Sequence, residues 1–248
     1  MLSLTLQASN STAQSPLTQK PSTKVNTSAI KQIPHTKEKM VIDGQANEAI
    51  WKTATWYPID QVLLGEQPTK EDFSGKFALA WNEKRLFLIA EIVDDVLSDK
   101  HADPLDAYWD DDCLEIFIDE DNSGGEHLFN HNAFAYHLAL DNQVVDMSTS
   151  QKPKLYNDHI KNVWKSGKNS RIWETEIKVF GENYQDDDKN NVPVRLSKNK
   201  TLGFMLAYCD NDNGKTREHF MGSEPIQGVD KNLGYKTADV FGTIKLVK

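Results

Sequence analysis

The residues best suited to chemistry lie in one stretch, Tyr108-Trp109-Asp110-Asp111-Asp112-Cys113-Leu114-Glu115-Ile116-Phe117-Ile118-Asp119-Glu120-Asp121-Asn122. Glu115 sits inside an alternating run, on the parity of Cys113, Phe117 and Asp119, with Leu114, Ile116 and Ile118 on the other. A carboxylate in the middle of a strand must be solvated in a groove or hydrogen-bonded, because burying it unpaired is costly. Beside an exposed aromatic ring, such a group suits a sugar. The ring stacks on the C–H face of a pyranose while the carboxylate accepts hydrogen bonds from neighbouring hydroxyls. Trp109, at the entry to the strand, can supply that ring, although composition alone places it as readily in the core or on its rim.

The same stretch ends in the turn Asp119-Glu120-Asp121-Asn122-Ser123-Gly124, with oxygen ligands at alternate positions and a closing glycine, which is how loops wrap calcium. Asp, Asn, Ser and Gly are also what turns favour on their own. Asp210, Asp212 and Asn213 form a second such loop, and Asp94-Asp95 a third. Catalysis finds little support. Two acids across a scissile bond would suit a glycosidase, but with 37 acids in the chain some pair always meets that spacing. There is no Gly-x-Ser-x-Gly, no phosphate-cradling glycine loop and no His-Glu-x-x-His. His127, His131 and His137 lack a strand-facing metal spacing. Met147 with His137 is the one pair that could serve as axial haem ligands.

These residues need a scaffold. Residues 1–35 are rich in Ser, Thr, Gln, Asn and Pro and read as a disordered leader or linker. Leu2-Ser3-Leu4-Thr5-Leu6-Gln7-Ala8-Ser9 suggests a signal-peptide remnant, without the cationic start or long apolar centre of a full signal. Residues 36–248 read as one domain. Phe73 to Trp81 alternates and turns through Asn82-Glu83-Lys84 into Arg85 to Val93, a hairpin. Leu86 to Val93 is apolar on nearly both parities, a central strand covered on both faces. Further strands are expected at 133–140, 144–147, 160–164, 172–179, 202–208 and 240–247, with one helical turn at 46–51 whose Trp51 plugs the core. Together they predict an all-β, antiparallel, jelly-roll-like sandwich.

The chain has 248 residues and a net charge of -9, which argues against nucleic acid or an anionic membrane as partner. No apolar run approaches the roughly 18 residues needed to span a bilayer. Cys113 and Cys209 are too few for a disulfide scaffold and read as small core residues, with a single bridge between them left open for an exported protein.

The order Val41-Ile42-Asp43-Gly44, then Trp51, the strand pair ending at Asp94, the block Trp109-x-x-Asp112-x-x-Glu115-Ile116-Phe117-Ile118-Asp119, and the close Phe241-Gly242-x-Ile244-x-Leu246 resembles the family 9 carbohydrate-binding modules over residues 40–248. The resemblance implies a β-sandwich with structural calcium that clamps the terminal sugar of an oligo- or polysaccharide, preferably at its reducing end, between two aromatic rings and without catalysis. It implies Trp109 and Tyr235 as the rings, and Glu115 and Asn232 as groups that bond hydroxyls. His137 would stand where those modules have an arginine, although a one-residue shift would put Tyr136 there. Their nearby asparagine has no counterpart. Asp94, Asp119 and Asp121 are the expected metal ligands, and a secreted or periplasmic location follows from such a ligand. The alternative kept beside it is a haem-binding electron-transfer domain of the DOMON type, using Met147 and His137.

Overall fold

The computed structural model describes residues 28–212 and 214–248. Among these, the strands are β1 (Lys31–Ile33), β2 (Tyr57–Ile59), β3 (Gln61–Leu64), β4 (Phe73–Asn82), β5 (Arg85–Asp94), β6 (Cys113–Asp119), β7 (Phe134–Ala139), β8 (Val144–Met147), β9 (Pro153–Leu155), β10 (Ile160–Ser166), β11 (Arg171–Ile177), β12 (Thr201–Asp210), β13 (His219–Gly222) and β14 (Gly242–Leu246). The larger sheet runs β1-β14-β12-β6-β7-β8-β9, with β13 bridging β12 to β3. The smaller runs β10-β11-β5-β4-β2. Among the described residues, helix is confined to two 3-10 turns, Ala49–Lys52 and Ala238–Val240. The expected all-β sandwich is what the chain forms.

Every strand pairing is antiparallel except β1 with β14. That exception lies in the stretch read as leader: Lys31–Ile33 pairs with Ile244–Leu246, and Ile33 is buried in the core. The fold therefore begins before the expected boundary at residue 36. A three-residue strand has no periodicity to show in sequence, and only its partner β14 creates it. Residues 1–27, the rest of that leader, lie outside the described residues. The strands β2, β3, β9 and β13 also went unread. Each has three or four residues, and Pro58 and Pro153 mark two of them as edge elements that need no full hydrogen-bond ladder.

Strand alternation produces three apolar layers. Leu79, Trp81, Leu88 and Ala90 of the smaller sheet meet Leu114, Ile116, Ile118, Phe204 and Leu206 of the larger one to form the sandwich interior. The opposite parity of β4 and β5, with Ala78, Ala80, Phe87 and Ile89, is covered by Ile42, Trp51 and Ala54. This is why Leu86 to Val93 is apolar on both parities. The outer parity of the larger sheet carries Cys113, Phe117, Ala135, Met205 and Ala207 under Ile226, Val240 and Phe241. That third layer is incomplete, and its uncovered end is where the site lies.

One buried polar cluster ties a long loop to the sandwich edge. Asp186 accepts hydrogen bonds from Tyr156 Oη (2.7 Å), Thr149 N (3.1 Å) and Thr149 Oγ1 (2.9 Å), and lies 3.2 Å from His131 Nε2. Burial pushes its carboxyl up, but these hydrogen bonds outweigh that and hold it at about 2. A depressed folded-state value contributes stability above the unfolded range near 4 that is lost as pH falls towards 2. Asp186→Ala is expected to lower unfolding stability by about 1–3 kcal/mol near neutral pH, measured by urea denaturation, and to flatten the acid limb of that profile.

Candidate functional site

Glu115 occupies the centre of a rung that runs across three strands, Ala207 on β12, Glu115 on β6 and His137 on β7. Its side chain is only 2% exposed. Oε1 is 2.9 Å from His137 Nε2, accepts from Arg217 Nη1 at 3.1 Å, and accepts from the Cys209 thiol at 2.9 Å. Burial raises the carboxyl, but His137 and Arg217 more than offset it, so the group is held below the ordinary glutamate range and is ionised. The other nitrogen of His137 faces the Ala135 carbonyl at 3.1 Å. Both ring nitrogens thus face oxygen atoms of the protein.

This charged floor lies under an open cavity of about 380 Å³, lined by Tyr108, Trp109, Glu115, Leu128, Phe129, Ala135, His137, Asp146, Met147, Arg217, Asn232 and Tyr235. The structure therefore brings together all five residues expected to hold sugar: Trp109, Glu115, His137, Asn232 and Tyr235. The two rings are on the rim, with Trp109 40% and Tyr235 36% exposed. Tyr108 supports this side of the site, packing edge-to-face on both Trp109 (4.9 Å) and His137 (4.6 Å).

Each rim ring is placed by its loop. The segment before β6 is folded back by two aspartates that accept amides from its own far arm: Asp111 from Lys100 N (3.0 Å) and His101 N (2.8 Å), Asp112 from Ser98 N (2.6 Å). Tyr235 follows Gly234, where a Cβ would come 2.7 Å from Met205 Cε and 2.9 Å from Phe117 Cε1. Only glycine lets this loop lie flat on the sheet. His127 clips it there, with Nε2 2.8 Å from the Gly234 carbonyl and its own amide donating to the Lys236 carbonyl at 2.8 Å. Burial holds the His127 imidazole at about 4, so it is neutral near pH 7.

Arg217 and Asp146 were not found from sequence. Arg217 lies in the polar link between β12 and β13, with its guanidinium 4.3 Å above the Phe220 ring. A lone arginine in a loop carries no periodic signal. Asp146 is the penultimate residue of β8, and burial raises it to about 6 although it accepts amides from Ala135 (2.9 Å) and Met147 (2.7 Å).

Asp119 and Asp121 share the turn after β6, and Asp94, expected as a separate loop, lies apart from them. Asp119 lies six residues beyond Cys113 along β6, about 20 Å away at strand rise. Its carboxylate accepts the amides of Asn122 (3.1 Å) and Gly124 (2.8 Å), and Asp121 accepts that of Ser123 (3.0 Å). Asp94 instead joins Asp112 and Asp210, with ligand oxygens within 4.8 Å of one another, and Asp95 and Asp212 form an adjoining group with Asp94. Asp210 is 1% exposed, yet neither of its oxygens has a hydrogen-bond partner among the described residues, nor does Oδ1 of Asp94. Burial and the neighbouring carboxylates push Asp112 and Asp210 up to about 8. An all-carboxylate set with orphaned buried oxygens fits a hard divalent cation.

A sandwich whose larger sheet carries an open, ring-rimmed cavity over a charged floor has the build of a carbohydrate-binding module. The profile described as "Carbohydrate family 9 binding domain-like" matches residues 42–248, and the chain belongs to that family. It is 34% identical over 209 residues to endo-1,4-beta-xylanase A of Thermotoga maritima and 27% over 209 residues to endo-1,4-beta-xylanase C of Paenibacillus barcinonensis. These alignments cover 84% of this chain but only 17% and 16% of those enzymes, so the chain spans about one sixth of their length. Two structures of a family 9 carbohydrate-binding module from Caldicellulosiruptor kristjanssonii, one with cellotriose and one with glucose, share the fold at 18% identity. Their TM-scores are 0.63 and 0.61, covering 88% and 87% of this chain and 94% and 95% of theirs.

Proposed function

We propose that this protein binds the terminal unit of an oligo- or polysaccharide without catalysing its cleavage. The sugar is held between Trp109 and Tyr235, and its hydroxyls are oriented by Glu115, Asn232, His137 and Arg217. The observation that carries this reading is the convergence of two half-exposed rings, from segments far apart in sequence, on the rim of a cavity floored by an ionised carboxylate. Rings offer the stacking faces, and Glu115 accepts from hydroxyls while Arg217 and His137 hold its charge in place. The test is calorimetric titration with glucose and cellotriose, the ligands of the two structural neighbours. Saturable binding supports the reading, and no heat at millimolar sugar with either ligand counts against it. Glu115→Gln is expected to weaken binding about 10- to 100-fold by replacing a charged acceptor with a neutral one.

The haem reading has one observation in its favour, since His137 and Met147 line the same cavity. Both His137 nitrogens are committed to Glu115 and Ala135, however, and an axial ligand needs a nitrogen lone pair. A Soret band after haem titration would favour it.

Calcium held by Asp94, Asp112 and Asp210 would offset most of the charge of three clustered carboxylates and fix the loop that carries Trp109, because Asp112 also accepts the amides of Ser98 and Asn211. A glycan ligand suits a secreted or periplasmic protein, which fractionation of the source cells would test.

A further inference from the structure

Two rungs from Glu115 and on the same face of the sheet, Cys113 on β6 is paired directly opposite Cys209 on β12. Both are buried free thiols, and their sulfurs and a Glu115 oxygen lie within 4.8 Å of one another. Directly opposed residues of an antiparallel pair hold their Cβ atoms about 4.5–5.5 Å apart, near the span a disulfide needs. The sulfurs are not idle. The Cys209 thiol donates to Glu115 Oε1 at 2.9 Å, and Arg217 Nη1 lies 3.0 Å from the same sulfur. Cys113 Sγ is 3.7 Å from the Tyr108 carbonyl. The pair thus borders both the Trp109 loop and the charged floor of the cavity.

We propose that Cys113 and Cys209 form a reversible disulfide, and that closing it changes the donors on Glu115 and so the affinity of the cavity for its ligand. The second half rests on the sugar-binding reading above. Cys113 is 1% exposed but also lines a smaller cavity of about 170 Å³, bounded by the segment from Asp99 to Asp112 and by Ala139 to Asp141, from which the oxidant would approach. The oxidant is a low-molecular-weight disulfide such as oxidised glutathione. The Cys113 sulfur attacks one of its sulfurs, and the first glutathione leaves as thiolate and takes up the Cys113 proton. The Cys209 sulfur then attacks Cys113, expelling the second glutathione, which takes up the Cys209 proton. Two protein thiols are oxidised to one disulfide and one glutathione disulfide is reduced to two thiols.

The closed pair has no S–H to give. Glu115 Oε1 keeps His137 and Arg217 but loses its third donor, which leaves acceptor capacity for a sugar hydroxyl. The bond also staples the start of β6 to the end of β12, next to Asp112 and Asp210.

The folded full-length chain is equilibrated with oxidised glutathione, then assayed by intact mass, thiol titration and cellotriose calorimetry. The expected result is a mass lower by two hydrogens, loss of both free thiols, and cellotriose bound about three- to tenfold more tightly, all reversed by dithiothreitol. Cys113→Ser should show neither the mass loss nor any redox dependence of affinity. Persistent free thiols, or a stable glutathione adduct without closure, would overturn the disulfide. Closure with unchanged affinity would overturn the switch. Should neither redox form bind cellotriose, the sugar reading and the switch fall together, while mass and thiol count still decide the bond.

Discussion

Trp109→Ala is expected to weaken sugar binding about 30- to 1000-fold while leaving the unfolding midpoint within about 2 °C of the parent. The size of the loss follows from what the indole offers, a wide stacking face on the rim of the cavity, where aromatic anchors carry most of the binding energy. The preserved stability follows from its surroundings. Trp109 is 40% exposed, and among the described residues its one ring neighbour is Tyr108, met edge-on. Trp173 is the contrast, fully buried and stacked on Trp164 at 5.7 Å. Truncating that ring should cost about 3–5 kcal/mol of folding stability. Calorimetry and a thermal melt on the same two variants separate these cases. A Trp109→Ala variant that loses its fold as Trp173→Ala does would return Trp109 to the core and remove one jaw of the proposed clamp.

Saturating calcium is expected to raise the unfolding midpoint by about 10 °C, with a larger gain at pH 8 than at pH 5. The pH dependence comes from the aspartates. Asp112 and Asp210 are pushed up to about 8 in the folded protein, above their ordinary value of 3.8. Between those limits the folded state binds more protons than the unfolded one, so metal-free stability falls as pH rises from about 4 to about 8. A cation held by the ionised carboxylates replaces those protons and abolishes that fall. Asp210→Asn removes the carboxylate whose two oxygens have no hydrogen-bond partner among the described residues. It should raise metal-free stability at pH 8 and abolish the calcium-dependent gain. Chelation should also weaken sugar binding, because Asp112 is hydrogen-bonded to the base of the Trp109 loop at Ser98. A calcium effect that survives Asp210→Asn would move the metal site elsewhere.

The strand pattern was legible because alternation is local. A strand that buries one face must place apolar residues every second position, and β4 and β6 carry that record in their own residues, while β5 shows its two covered faces by being apolar on both parities. The hairpin at Asn82-Glu83-Lys84 and the two parities of β6 could be read for the same reason. The elements that escaped, β1, β2, β3, β9 and β13, are too short to hold a period, and each exists because a neighbouring strand offers it a free edge. Glu115 was legible as an anomaly, a charge in the middle of an apolar run. Trp109 was legible as an aromatic at the strand entry, and Tyr235, Asn232 and His137 through family resemblance.

What the sequence by itself determined was therefore the layer plan, the all-β class and the residues that break its pattern. Only the tertiary structure decided which of these residues meet. It placed Arg217 and Cys209 on the carboxylate of Glu115, and Trp109 and Tyr235 on the rim of one cavity. It also separated Asp94 from Asp119 and Asp121 and grouped it with Asp112 and Asp210. The physical reason is that hydrophobic patterning encodes which face of a strand is buried. Charged neighbours come from register and crossover, set by how β12 pairs with β6 across some ninety intervening residues, which no local period records.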